Sequence, residues 1–228
     1  MDHTEPPPDP LDGPFEELFR AARFDTPADR TRAEIVARSF ELFGRYGYTK
    51  TNIGEIAEAC AMSPGNLYRY FRNKQAIGQA VVDAFMTAEA LETRRLLGAP
   101  LAPEAPAPHA ARLRAYVALL VMRTVVQLRR APRIIELAEM IRSTPDGLEM
   151  VGPHIMRRTR EIEAILRAGA AAGEFQLRDP VAATAAVEFA TRFFHIPDAI
   201  TQHGLERIES DLELTLDLVC AGLRAGAV

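Results

Sequence analysis

Apolar residues recur at intervals of three and four along most of the chain, and this spacing predicts helices. The first strong segment places four apolar side chains on one side of a helix, namely Ile35, Val36, Phe40 and Phe43. Thr26 before Pro27 has the form of a helix cap followed by a first-turn proline. Gly47 supplies a stop signal. We therefore expect a helix between Thr26 and Gly47.

Three further helices are predicted close behind the first. The run Asn52-Ile53-Gly54-Glu55 has the form of a capping box for a short second helix. Ser63-Pro64 caps a third helix that continues to about residue 71, and Asn73 caps a fourth that runs towards Leu97. Proline and glycine are frequent in residues 98–108, which predicts a loop there.

The rest of the chain also has helical spacing. The predicted helices span about 109–130, from Pro132 to about 142, 154–172, 180–194 and 205–225. No window alternates apolar and polar residues with a period of two, and no repeat of 20–50 residues is present. The predicted fold class is all-α.

Composition narrows the kind of protein. No apolar run approaches the roughly 20 residues of a membrane span, and no secretory leader is recognisable. Cys60 and Cys220 are predicted to be buried thiols, consistent with a cytoplasmic protein. The histidines show no metal-ligand spacing, so neither a metal nor a cofactor is expected.

Charge is distributed unevenly along the chain. The formal net charge is −4, yet residues 31–80 carry seven basic and four acidic side chains and contain both lysines. This pattern fits an anionic partner or an ordinary solvated face. Residues 1–25 are acidic and rich in proline, and we expect them to form a disordered arm.

The second and third predicted helices are separated by two or three residues, which is helix-turn-helix spacing. On the third helix, Leu67 and Phe71 face inward with Pro64 and Tyr70 beside them. The opposite arc carries Gly65, Asn66, Tyr68 and Arg69. Asparagine can pair with adenine and arginine with guanine, whereas tyrosine hydroxyls and Lys74 can reach phosphates. Simple solvation of this arc is the alternative.

Residues 49–77, TKTNIGEIAEACAMSPGNLYRYFRNKQAI, resemble the DNA-binding head of the TetR family of transcriptional regulators. The matching positions are Phe43, Gly47, Tyr48, Thr51, Ile56, Ala57, Ser63, Gly65, Leu67, Tyr68, Tyr70, Phe71 and Lys74. Two positions depart from the pattern, since Ala61 replaces the turn glycine and Met62 replaces valine. If position 61 requires a positive φ, alanine costs about 1 kcal/mol there.

The resemblance implies a DNA-binding role for specific residues. Phosphate contacts fall on Thr51, Tyr68, Tyr70 and Lys74, with Arg32 and Lys50 as additional candidates. Base-edge contacts fall on Ser63, Gly65, Asn66 and Arg69. Pro64 is placed against a thymine methyl, and the helix cap Asn52 completes the predicted DNA-binding set.

The resemblance also implies a C-terminal helical domain that binds a small-molecule effector and forms a homodimer through the last two long helices. Candidate pocket residues are Met122, Met140, Met156, Phe175, Phe189, Phe193 and His195. The candidate dimer stripe is Ile208, Leu212, Thr215, Leu216 and Val219. Ordinary core packing is the alternative for both sets.

The expected organisation is an arm at 1–25, a helix-turn-helix domain at 26–76 and an effector-binding and dimerisation domain at 77–228. The leading hypothesis is a repressor that binds a palindromic DNA operator and is released by an effector. A helical protein-interaction module or a co-regulator without its own effector is the alternative. A helical enzyme is a weaker alternative, since no nucleophile–base pair or phosphate loop is recognisable.

Overall fold

The computed structural model describes residues 26–98 and 108–226. Within these residues the chain forms ten α-helices and a short 3-10 helix, without strands. The helices are α1 Pro27–Tyr46, α2 Ile53–Ala59, α3 Pro64–Leu67, α4 Lys74–Leu97, α5 His109–Arg130, α6 Ile134–Arg142, α7 Pro145–Ala171, α8 Pro180–Thr191, the 3-10 helix Arg192–His195, α9 Pro197–His203 and α10 Leu205–Ala225. The all-α fold class is confirmed. The predicted arm at 1–25 and most of the 98–108 loop lie outside the described residues.

Local signals set most helix ends. The Thr26 hydroxyl accepts from the Asp29 amide while the Asp29 carboxylate accepts from the Thr26 amide, a complete capping box. Asn52 and Glu55 form the same arrangement at α2. Gly47, with φ of 92°, ends α1 in a conformation that disfavours residues with a Cβ. These three signals explain why α1 begins and ends, and α2 begins, where the sequence predicts. Helix α3, predicted to continue to about residue 71, ends at Leu67.

Contacts divide the described residues into two compact units. The first unit contains residues 26–91 and 131–150, and the second contains 92–98, 108–130 and 151–226. Helix α6 therefore belongs with the N-terminal helices, although it follows α5 in the chain. The domain boundary predicted between residues 76 and 77 stays a prediction.

Two glycines allow close backbone packing in the first unit. A Cβ on Gly44 of α1 would lie 2.4 Å from the Cβ of Ala131 and 3.0 Å from its Cα. A Cβ on Gly78 of α4 would lie 2.8 Å from Leu137 on α6. Glycine in a helix costs about 1 kcal/mol relative to alanine. Here that cost is offset by close contact with Ala131 and with α6.

The second unit is built on one apolar cluster. Helices α5, α7, α8, α9 and α10 all contribute to it, through side chains such as Leu113, Ile165, Val187, Ile200 and Leu216. A polar group is also buried here, since the Tyr116 hydroxyl donates to Glu161 at 2.6 Å and Arg157 donates to the same carboxylate at 2.9 Å. These hydrogen bonds offset the cost of burying the polar side chains.

Two predictions about the later helices are wrong. Helix α7 begins at Pro145, nine residues before the predicted start, and it continues through Pro153. Proline removes one helical hydrogen bond, yet the neighbouring turns are long enough to maintain the helix. The predicted helices also leave residues 195–204 without a helix, but α9 spans Pro197–His203.

Candidate nucleic-acid interface

The turn between α2 and α3 fixes the helix-turn-helix. Met62 donates its amide hydrogen to the Ala57 carbonyl at 2.9 Å, and Ala61 donates to the Glu58 carbonyl at 2.9 Å. These two bonds form a Schellman motif, whose C′ position normally holds glycine. Ala61 occupies that position with φ of +52°, the only positive φ among the described non-glycine residues. The positive φ that was predicted to make alanine unfavourable is therefore present.

The inner face of the reading segment, residues Ser63–Phe71, anchors it to the first unit. Leu67 is fully buried and Phe71 is 4% exposed, as predicted, and α3 packs on α2. Pro64 is exposed, so the expectation that it flanks this inner face is wrong. The reason is that α3 contains only Pro64–Leu67, and its first residue points away from the core. Leu67 and Phe71 therefore carry the anchoring.

The outer face of the reading segment is polar and available to solvent. Ser63, Gly65 and Arg69 are exposed, the ring of Tyr68 is 52% exposed, and Asn66 and Tyr70 are half-buried. Ser63 also caps α3, since its hydroxyl accepts from the Asn66 amide at 3.2 Å. Asn66 and Arg69 therefore lie on the same short outward surface.

Three residues of the predicted DNA-binding set make contacts inside the protein. Thr51 is buried and its hydroxyl donates to the Gly47 carbonyl at 2.9 Å. Asn52 serves as the cap of α2. The ammonium of Lys74 donates to the carbonyls of Tyr48 at 2.9 Å and Thr51 at 3.0 Å. These contacts hold the segment before α2 in place, and the phosphate contacts of the three residues stay predictions.

The two additional phosphate candidates differ. Lys50 is exposed in the segment between α1 and α2. Arg32 donates to the carbonyl of Tyr70, and its guanidinium lies 4.4 Å from the centre of the Phe71 ring. A cation at the carbonyl end of a helical segment is electrostatically favourable. Arg32 thus supports the end of the reading segment, a role that sequence spacing could not reveal because its partners lie 38 residues away.

The seven effector-pocket candidates do not form one cluster. Met140 lies in the first unit, close to Gly78, whereas the other six lie in the second. Phe175 is core, 3% exposed, whereas Met156, Phe189 and Phe193 are exposed. The structure does not place all seven side chains around one described cavity, so their role in effector binding stays a prediction. Met and aromatic residues at helical spacing do not reveal which helix faces converge.

Met122 does line a cavity of about 540 Å³ in the second unit. Its other lining residues come from α5 and α10 and are Ala118, Val121, Glu206, Glu209, Ser210, Leu212 and Glu213. His195 lies elsewhere and its Nδ1 has no hydrogen-bond partner among the described residues. Burial, with the charge of Arg158, lowers the pKa of His195 to about 4. The imidazole is consequently neutral at pH 7.

The predicted dimer stripe faces inward. Ile208, Leu212 and Leu216 are at most 4% exposed within the apolar cluster, and Thr215 and Val219 are partly buried. The correct interpretation of this stripe is core packing. Helix α10 instead exposes Leu214 and Leu218, and the adjoining α8 exposes Val181 and Phe189. A periodic apolar stripe predicts that a helix face is buried, but it does not distinguish burial in the core of the same chain from burial by a partner chain.

The described residues contain no group of three or more potential metal ligands. Cys60 is partly buried and Cys220 is buried, and both are free thiols. Burial raises the pKa of Cys60 to about 11, so this thiol stays protonated at neutral pH. None of the described helices has the length and apolar character needed to cross a membrane.

A capped helix, a tight turn and a short helix with an exposed polar face define a helix-turn-helix protein of the DNA-binding class. The comparisons with known proteins identify the family to which it belongs. The family model "Bacterial regulatory proteins, tetR family" matches residues 35–81, and "Tetracyclin repressor-like, C-terminal domain" matches 109–215. Together they cover well over half of the chain, which belongs to the TetR family of transcriptional regulators.

Curated relatives match the chain over about a quarter of its length. The transcriptional regulator UidR of Escherichia coli is 37% identical over 57 residues, which are 25% of this chain and 29% of UidR. TtgR of Pseudomonas putida is 33% identical over 57 residues, 25% of this chain and 27% of TtgR. The chain thus matches less than a third of the length of these relatives.

Solved structures resemble the chain over most of its length. A transcriptional regulator of Saccharomonospora viridis in complex with choline has a TM-score of 0.65 at 14% identity, covering 83% of this chain and 95% of that one. SmeT, the repressor of a Stenotrophomonas maltophilia multidrug efflux pump, has a TM-score of 0.59 at 20% identity, covering 84% and 89%. At these identities the likeness establishes the shared fold.

Proposed function

We propose that this protein is a homodimeric transcriptional repressor that binds a palindromic DNA operator and is released by a small-molecule effector. The observation that carries the proposal is the outward surface of the reading segment, where Asn66, Tyr68 and Arg69 lie on a segment anchored by Leu67 and Phe71. Its place of action is the cytoplasm, where the operator is accessible, and the proposal includes no catalytic activity.

Each exposed residue has a role that follows from its chemistry. Asn66 and Arg69 contact base edges, because an amide can pair with adenine and a guanidinium with guanine. The hydroxyls of Tyr68 and Tyr70 contact phosphates and so contribute affinity rather than sequence preference. The exposed Ser63, Pro64 and Gly65 allow the backbone at the start of α3 to approach the groove.

Dimerisation is proposed through the exposed apolar side chains of α8 and α10. Val181 and Phe189 are 61% and 70% exposed, and Leu214 and Leu218 are 60% and 76% exposed. Adjacent large apolar residues on a surface are typical of an interface, and a two-fold axis would bring identical faces together. Two reading segments about 34–36 Å apart would then contact successive turns of a palindrome.

The effector is proposed to bind in the second unit, where family membership and the 540 Å³ cavity support a small-molecule site. This volume lies within the range of about 300–1,000 Å³ that is usual for ligand pockets. The choline bound to the Saccharomonospora regulator shows that a protein of this fold can hold a small organic ligand.

In vitro selection of bound DNA by the purified chain tests the proposal. We expect a palindrome, with affinity that falls steeply as salt is raised because phosphate contacts release counterions. The double substitution Tyr68→Ala, Arg69→Ala should reduce affinity for the selected site at least about 100-fold, since each contact contributes about 1–3 kcal/mol. Unchanged affinity in this variant would exclude the proposed surface, and failure to select any DNA would exclude the function.

A further inference from the structure

The carboxylate of Glu136, on α6, lies against the loop that connects α1 to α2. We call this segment, residues Gly47–Thr51, the joint loop. A Cβ placed on Gly47 would lie 2.4 Å from Glu136 Oε2 and 2.6 Å from Oε1. The amide of Thr49 donates to Oε2 at 3.5 Å. Because Gly47 lacks a side chain, the carboxylate can rest directly on the backbone of the joint loop.

Arg133 links this carboxylate to the end of α1. Its Nε lies 3.4 Å from Glu136 Oε1, and its Nη1 donates to the carbonyl of Tyr46 at 3.3 Å. The backbone amide of Arg133 also donates to the Gly44 carbonyl at 3.3 Å. The start of α6 therefore satisfies carbonyls that the last turn of α1 leaves without helical partners.

Lys74 contacts the joint loop from α4. Its ammonium donates to the carbonyls of Tyr48 and Thr51 and lies 4.5 Å from the centre of the Tyr48 ring. The joint loop is thus held by a cation, Lys74, that donates hydrogen bonds to its carbonyls and by an anion, Glu136, that accepts a hydrogen bond from the Thr49 amide. Asn52, the cap of α2, follows the loop directly, so the position of the loop sets where α2 begins.

We propose that Glu136 is a positioning residue for DNA binding, whose carboxylate holds the joint loop in the conformation that the helix-turn-helix needs. The inference rests on the proposed function, because its first test measures DNA binding. It assigns a role in the head to a residue outside the 35–81 match, within the segment matched by the C-terminal family model. Glu136 acts through the joint loop and does not itself contact DNA.

The sign of the effect separates positioning from electrostatics. Removing an acidic side chain from a DNA-binding protein strengthens DNA binding if charge alone matters, because repulsion of the phosphates is reduced. Loss of positioning instead weakens binding. Glu139 lies on the same helix and is exposed, so Glu139→Ala makes the same change in charge without touching the joint loop.

The test measures affinity for the selected operator at several salt concentrations. We expect Glu136→Ala to bind roughly ten-fold more weakly than wild type, whereas Glu136→Gln, which keeps an oxygen acceptor, stays within about three-fold. Glu139→Ala should bind as well as wild type or slightly better. The salt dependence of Glu136→Ala should match that of wild type, because no phosphate contact is removed. Affinity in Glu136→Ala equal to that in Glu139→Ala would overturn the inference.

A second readout does not depend on DNA. Amide hydrogen exchange of the full chain should be faster at Thr49 and its neighbours in Glu136→Ala, and unchanged in Glu139→Ala, while exchange in α5 stays the same. Unaltered exchange in the joint loop would overturn the positioning role even if an operator is bound. If the wild type selects no DNA while the loop responds as expected, the proposed function fails and the contact between Glu136 and the loop stands.

Discussion

The two units differ in how many large apolar side chains they expose at their surfaces. Among the described residues, the first unit exposes three of them, and two of these are tyrosines with a hydroxyl that water or phosphate can satisfy. The second unit exposes eleven, including Phe189, Leu214 and Leu218. The difference indicates that the first unit is suited to a polar partner, whereas the second has apolar surface that another protein chain or a ligand would cover.

The interiors of the two units also differ, in how closely the backbones pack and in which polar side chains are buried. The first unit depends on glycines that let Ala131 approach α1 and α6 approach α4 at van der Waals distance. The second has a larger apolar cluster but also buries Tyr116, Glu161 and most of His195. A close backbone contact fixes one geometry, while the lowered pKa of His195 ties stability to protonation. Four variants test these contrasts.

The largest expected effect concerns the apolar surface of the second unit. Leu214→Glu combined with Leu218→Glu should raise the dissociation constant of the homodimer at least about 100-fold, because two central apolar contacts are replaced by charges. Sedimentation equilibrium measures this change. Leu148→Glu, at an equally exposed position in the first unit, is the matched control and should leave the dimer intact. A dimer that tolerates the double substitution would contradict the proposed interface.

Gly44→Ala tests the close packing of the first unit. Its Cβ would overlap Ala131, so we expect the free energy of unfolding to fall by about 2 kcal/mol. Urea unfolding followed by circular dichroism measures the loss. Gly152→Ala is the control, because a Cβ there meets no atom within 4 Å. Equal stabilities of the two variants would show that the α1 contact with Ala131 is loose.

His195 tests the buried polar groups of the second unit. Because its pKa is lowered to about 4 in the folded chain, the unfolded state binds the proton more readily. The contribution of His195 to the free energy of unfolding is therefore fully present above the unfolded pKa of about 6.5, and it falls as the pH is lowered from there towards 4. We expect this contribution to be about 2 kcal/mol, less than the full pKa shift would give, because the ring is partly exposed.

Thermal unfolding of His195→Gln at pH 7 and pH 4.5 measures this contribution. The variant should lose less stability than wild type over that interval. His203→Gln, at an exposed histidine, should follow wild type. Parallel pH profiles of the wild-type and His195→Gln proteins would mean that folding does not lower the pKa of the imidazole.

Ala61→Gly should give the smallest effect, and it is a gain. Glycine adopts the φ of +52° without steric cost, so the free energy of unfolding should rise by about 1 kcal/mol. Chemical unfolding detects the change, and Ala59→Gly, within α2, is the control that should lose a similar amount. A loss of stability in Ala61→Gly would contradict the strain assigned to this turn.

The features that sequence predicted correctly depend on neighbours in the chain. Thr26 with Asp29, Asn52 with Glu55 and the requirement for a positive φ at position 61 all involve residues a few positions apart. Such contacts form whenever the local backbone is helical, so the residue types are sufficient to predict them. The inward and outward faces of the reading segment follow from helical spacing in the same way, except for Pro64.

The features that sequence missed depend on distant partners. Arg32 contacts Tyr70, and Glu136 contacts Gly47, only because separate helices pack together. Pro153 is compatible with helix α7 because the surrounding turns maintain it, which a local rule cannot detect. The stripe at Ile208 has the same period whether a partner or its own core covers it. Tertiary packing decides each of these cases.

The turn at Ala61 has a consequence for engineering operator specificity. Substitutions at Asn66 and Arg69, the proposed base-contacting residues, will often destabilise the head, and random libraries lose such variants to misfolding. An Ala61→Gly background would offset about 1 kcal/mol of that loss at a site behind the reading surface. A library built on this background should retain more folded members, so the residue that departs from the family pattern marks the place to begin redesign.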